Sequence, residues 1–205
     1  MVSLFIKGGP LMWPILLCSV VAFAVAVEKA YVFIKARKEI MPSLESINYY
    51  IRKNDSFYNM DQLKIRSNTI TYINVLVSEG VKSNTAGHIL EHRISKELSA
   101  LMRHLERRLN TLAVIINIAP VLGLLGTVTG MIKAFMTIQT LNTQVNPSHL
   151  AGGIWEALIT TAAGLFVAIP AQVVYHYFDM RSDEIRIYLT ETYGDLIEFL
   201  TAKES

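Results

Sequence analysis

The chain has 205 residues, 52% of them hydrophobic, and 19 Lys and Arg against 17 Asp and Glu give it a formal charge of +2. So small a surplus of positive charge excludes the strongly basic nucleic-acid-binding class, and so apolar a composition excludes an ordinary soluble domain. The charged residues fall in blocks between apolar runs, which is the profile of a membrane protein.

The opening ten residues carry a single Lys, and the positive charge follows the first apolar run instead of preceding it. Residues 1–10 are therefore read as a short amino-terminal segment before the membrane and residues 11–27 as a retained first transmembrane helix, not a cleaved signal peptide. Trp13 and Tyr31 suit its two interfaces. The helix is expected to run on into the cytoplasm until Pro42 interrupts it. Beyond it, Asn54-Asp55-Ser56 reads as a turn, residues 60–79 as a helix and residues 80–87 as a loop. A new helix is predicted from about Thr85, because Ile94, Leu98, Leu101, Leu105, Leu109 and Leu112 follow at spacings of four and three. No breaker separates this stripe from the second apolar run, residues 112–138. One helix of about 50 residues, about 75 Å long at 1.5 Å per residue, is the expectation, bent at Pro120.

Along that second span, Ala119, Gly123, Gly126 with Thr127, Gly130 and Ala134 recur every three or four residues and make one stripe of small side chains. The third apolar run, residues 154–178, repeats the pattern with Gly153, Ala157, Thr160 with Thr161, Gly164 and Ala168, and carries Pro170 as a second expected kink. Glu156 stands at the outer end of this face. A carboxylate there is costly unless it meets water, a partner or a proton, so it reads either as a group admitting ions to a cavity or as an interfacial residue paired with Lys133. Past residue 178, Ile185, Tyr188, Leu189, Tyr193, Leu196, Ile197 and Leu200 share one face of an amphipathic carboxyl-terminal helix, residues 179–205. That helix is expected to pack on the one preceding span two.

Lys29, Lys35, Arg37 and Lys38 follow span one, and Lys96, Arg103, Arg107 and Arg108 precede span two, whereas residues 139–153 contain no Lys or Arg. The positive-inside rule then puts residues 28–111 in the cytoplasm and 139–153 outside, with the amino terminus outside and the carboxyl terminus inside. Cys18 has no second cysteine to pair with, and the five His residues show no ligand spacing, so no metal or cofactor is expected. No nucleophile or phosphate-loop constellation suggests an enzyme. The fold class is an all-α integral membrane protein with three transmembrane helices, two of them extended into a cytoplasmic helical bundle. Two small-residue stripes with little to bury inside one subunit predict a ring of several copies, in which spans two and three enclose a central space faced by hydroxyls and one carboxylate.

Ala-Pro-Val-Leu-Gly-Leu-Leu-Gly-Thr-Val-Thr-Gly-Met-Ile-Lys-Ala-Phe at 119–135, Gly-Ile-Trp-Glu-Ala-Leu-Ile-Thr-Thr-Ala-Ala-Gly-Leu at 153–165 and Ala-Ile-Pro-Ala at 168–171 resemble the MotA/TolQ/ExbB family. Gly-Gly-Pro-Leu-Met-Trp-Pro before span one is similar as well. Three spans without a large outer domain resemble the ExbB and TolQ branch. The resemblance implies a pentameric stator in the bacterial inner membrane around two copies of a single-span ExbD- or TolR-like partner, whose membrane aspartate carries the proton. It implies coupling of proton flow to a TonB-like effector and outer-membrane import, or to a TolA-like effector of the Tol-Pal system. Carried over by position, its pore residues are Thr127, Glu156 and Thr161, with Thr160 beside them; Thr160 and Lys133 depart from the common pattern. A structural scaffold without an ion path is the contrasting reading, and it leaves Glu156 and the threonines without a reason.

Overall fold

A computed structural model of the chain describes residues 9–53, 73, 75, 87–140 and 147–202. Among the described residues the regular elements are helices: α1 (Met12–Lys53), α2 (Gly87–Glu106), α3 (Leu109–Thr140) and α4 (Pro147–Ala202). Three of them contain stretches long and apolar enough to cross a membrane, within Met12–Glu45, Leu109–Gln139 and Ala151–Glu198. The turn expected at 54–56 and the loop at 80–86 lie outside the described residues, as does the helix at 60–79 except for Ile73 and Val75, both helical.

The chain divides into two compact units, and α1 and α4 contribute to both. The first comprises residues 1–28 and 108–177. Its core is Ala22 and Val25 of α1, Leu112, Ile115 and Ala119 of α3, and Ala168 and Ala171 of α4. This interior is small, since only 22%, 28% and 28% of the three spans is buried within the chain, in keeping with the expectation that a single subunit has little to bury. Large side chains such as Phe23, Leu124, Phe135, Phe166 and Val173 stay exposed on the outside. So much outward-facing apolar surface suits lipid or protein neighbours, not water.

The second unit comprises residues 29–107 and 178–205. Phe33, Ile40, Leu44 and Ile47 of α1 are buried in it, as are Ile94, Met102 and Leu105 of α2 and Ile185, Leu189, Tyr193 and Leu196 of α4. The rings of Phe33 and Phe178 lie 5.0 Å apart at 34°. Arg186 of α4 pairs with Glu106 of α2, and the Ser182 hydroxyl donates to the same carboxylate at 3.4 Å. The end of α4 thus lies against α2, as its spacing predicts.

Two expectations about helix ends are corrected. Pro42 does not end α1, which continues to Lys53. A proline inside a helix costs about 3 kcal/mol, but burying one aliphatic side chain returns about 1.5–3 kcal/mol. Ile40, Leu44 and Ile47, all within 2% of full burial, together outweigh the proline.

Conversely, the single long helix predicted from Thr85 through span two is two helices. α2 ends at Glu106, and Arg108 takes a left-handed conformation with φ 72° before α3 begins. Such a conformation costs a non-glycine residue about 1–2 kcal/mol. Local partners offset it: the buried Lys29 ammonium donates to the Leu105 carbonyl at 2.5 Å, and Arg108 pairs with Glu28. On the other side of the break, the amides of Thr111 and Leu112 donate to the Arg108 carbonyl at 3.1 and 3.4 Å. The connection expected over residues 139–153 is also shorter, since α3 reaches Thr140 and α4 starts at Pro147. Proline suits a first helical position, where its missing N–H would have had no partner.

Candidate functional site

The two small-residue stripes meet each other within one chain. A Cβ built on Gly123 would lie 3.0 Å from the Thr161 Cα, one on Gly130 2.9 Å from the Ala157 Cβ, one on Gly153 2.7 Å from the Ala134 Cβ, and one on Gly164 2.5 Å from the Ala119 carbonyl oxygen. Gly126 faces the Thr160 methyl and Cβ. Partners ascend along α3 as they descend along α4, so the helices are antiparallel and their backbones touch over the whole stripe. This corrects the expectation that these faces pack neighbouring copies together. The glycines let the two spans approach until no room is left for another helix between them.

The threonines take three different positions on this contact. Thr160 is buried in it, its methyl filling the space left by Gly126 and its hydroxyl donating to the Glu156 carbonyl at 2.8 Å. It packs the helices instead of facing an open space. Thr161 is half-buried and donates across the contact to the Gly123 carbonyl at 2.8 Å. Thr127, also half-buried, donates to the Leu124 carbonyl of its own helix at 2.6 Å. Carbonyl oxygens only accept, so both hydroxyl hydrogens are engaged and what Thr127 and Thr161 retain is lone pairs. They can accept a hydrogen bond from a water or a protonated carboxyl.

At the end of the contact nearest the α3–α4 connection, the Glu156 carboxylate accepts from the Lys133 ammonium at 2.8 Å. The interfacial reading of Glu156 expects this ion pair, and the structure holds it. Gly9 backs the same carboxylate, at the first position of the turn that leads into α1. Nothing in the spacing of the chain pointed to Gly9; the only signal was Gly-Gly-Pro itself. Pro120 and Pro170 lie inside α3 and α4, which continue through them. Asn117 was not singled out from the sequence. It stands exposed on α3, with its amide donating to the Ala113 carbonyl at 2.8 Å.

These features define an all-helical membrane protein whose second and third spans form a glycine-packed hairpin bearing two half-buried hydroxyls and an ion pair. A profile of the MotA/TolQ/ExbB proton channel family matches residues 67–191, more than half of the chain. The chain belongs to that family, on its ExbB/TolQ branch. Over 184 residues it is 29% identical to a biopolymer transport protein ExbB homolog of Methanothermobacter thermautotrophicus, covering 89% of this chain and 64% of the relative. It is 40% identical over 101 residues to the biopolymer transport protein ExbB of Salmonella typhimurium, covering 49% of this chain and 39% of that one. It is likewise 40% identical over 97 residues to the Tol-Pal system protein TolQ of Haemophilus influenzae, covering 47% and 40%. The chain thus spans from about two fifths to less than two thirds of these relatives' length.

Proposed function

We infer that this chain is the stator subunit of a motor driven by the proton-motive force in the bacterial inner membrane. Five copies surround the transmembrane helices of an ExbD- or TolR-like single-span partner, whose membrane aspartate carries the proton. The amino terminus is periplasmic and the carboxyl terminus cytoplasmic. The work goes to a TonB-like effector for outer-membrane import; a TolA-like effector in envelope integrity is the second reading, favoured by a TolQ relative as similar as the ExbB one.

The observation that carries this reading is the state of Thr127 and Thr161. With their hydrogens engaged by the Leu124 and Gly123 carbonyls, both hydroxyls present acceptors only. An acceptor stabilises the protonated, donating form of a carboxyl and holds a water that can pass a proton to it. A chain that lines an ion path with acceptors and supplies no central carboxylate depends on a carrier from another protein, which agrees with a partner aspartate. The test is proton flux into proteoliposomes containing the chain with its partner, comparing Thr127→Ala and Thr161→Ala in the presence and absence of sodium. Flux should fall in both variants while the oligomer persists. Undiminished flux in both would overturn the role of the hydroxyls, and a strict need for sodium would replace the proton.

A further inference from the structure

The ion pair at the outer end of the first unit is not required by the glycine contact beside it. Lys133 follows Gly130 by three residues and Glu156 follows Gly153 by three, and each of those glycines lies against the other's backbone carbonyl. That closeness lets a long side chain from α3 reach a short one from α4, and the charged atoms stand 2.8 Å apart. The Lys133 side chain is 54% exposed and that of Glu156 only 26%. The same carboxylate oxygen also lies against Gly9, whose φ of 72° is one that side-chain-bearing residues rarely adopt. A Cβ there would run into Glu156 Oε1. The carboxylate is therefore ion-paired to Lys133 and packed against a backbone that only glycine allows to come so near.

We propose that Lys133 is a positioning residue that closes Glu156 into a latch joining the Gly9 turn to α3 and α4, and that the latch leaves the outer mouth of the ion path without net charge. In this chain Glu156 is then not a free carboxylate that collects cations. The latch stands on the geometry alone; the neutral mouth rests on the ion path proposed above. Near a membrane, where water does not fully screen the pair, removing one partner leaves the other as an uncompensated charge. Neutralising either residue should therefore change ion entry in opposite directions.

Four variants of the full chain test this, each purified alone for thermal unfolding and with its partner for proton flux: Lys133→Met, Glu156→Gln, the two combined, and the exchanged pair Lys133→Glu with Glu156→Lys. At low ionic strength Lys133→Met should raise flux by about tenfold and Glu156→Gln lower it by about as much, the low end of what a local charge does to counter-ion encounter. Both changes should shrink in high salt. The combined variant should return to the wild-type rate, which a purely structural pair would not bring about. In unfolding, the combined variant should melt no lower than the worse single one, and the exchanged pair should recover part of the loss. A combined variant as slow as Glu156→Gln would make Glu156 an obligate proton carrier and overturn the neutral mouth. Additive melting shifts would overturn the latch. A wild-type complex that carries no protons would overturn the ion path and the neutral mouth with it, while the melting cycle would still decide the latch.

Discussion

Gly164 offers the sharpest test of the hairpin, because what its missing side chain would strike is backbone. A Cβ there would lie 2.5 Å from the Ala119 carbonyl oxygen and 3.3 Å from both the Ala119 carbonyl carbon and the Gly123 Cα. None of these atoms can rotate away as the tip of a flexible side chain could, so α3 and α4 must separate. Overpacking of this kind costs about 1–3 kcal/mol. Against it stands the preference of a helix interior for Ala over Gly, about 0.8–1 kcal/mol. A contact this close to fixed atoms puts the overpacking cost in the upper part of its range, about 2–3 kcal/mol, so Gly164→Ala should destabilise the chain by a net of about 1–2 kcal/mol. For a chain of this size that lowers the unfolding midpoint by about 2–8 °C. Gly194 is the control, since a Cβ there meets nothing within 4 Å. Only the propensity gain acts, so Gly194→Ala should raise the midpoint by about 2–4 °C. Circular dichroism of the detergent-solubilised chain during heating measures both. A Gly164→Ala variant melting at or above the wild type, or two substitutions shifting the midpoint in the same direction, would refute the close backbone contact.

Thr161→Ser keeps the donor to the Gly123 carbonyl while Thr161→Ala removes it, so Ala should lose about 0.6 kcal/mol relative to Ser, the usual size of a hydrogen bond between membrane helices; equal midpoints would put the hydroxyl elsewhere. Lys29→Met removes the buried donor to the Leu105 carbonyl and should cost about 1–3 kcal/mol. Faster hydrogen exchange over residues 102–112 would register it, and unchanged exchange would mean that the end of α2 needs no such partner. For the orientation, cysteines placed at positions 46 and 148 in a chain with Cys18→Ala should differ towards a membrane-impermeant thiol reagent, with only position 148 labelled from outside. The reverse pattern would invert the topology.

The three apolar segments and the paired stripes were legible because both are periodic, and periodicity is what a single sequence displays best. What the stripes pack against was not. Gly126 and Gly130 look the same whether their groove receives a neighbour's helix or the next span of their own chain, and only the matched order Ala119 to Gly164, Gly123 to Thr161, Gly130 to Ala157 settles it. The helix break was hidden for a related reason. Leu105, Leu109 and Leu112 keep their spacing across it and are all buried, so the apolar rhythm carries no mark of the left-handed Arg108. Its stabilising partners, Glu28 and Lys29, lie some 80 residues earlier in the chain. Pro42 misled in the opposite sense, as a strong local signal overridden by the packing of Ile40, Leu44 and Ile47.

Because closeness between backbones is used up inside the hairpin, the outward face of α3 has a different character. Val121, Leu124, Val128, Ile132 and Phe135 are exposed there, while Gly123, Gly126 and Gly130 are buried on the opposite side. A helix lying against this face has no groove to drop into and sits at the ordinary interaxial distance of about 8–10 Å set by large side chains. Register is thereby fixed on one surface of the pair of helices only. The inward surface is keyed at every turn, whereas the outward one offers large apolar side chains and no keyed backbone contact.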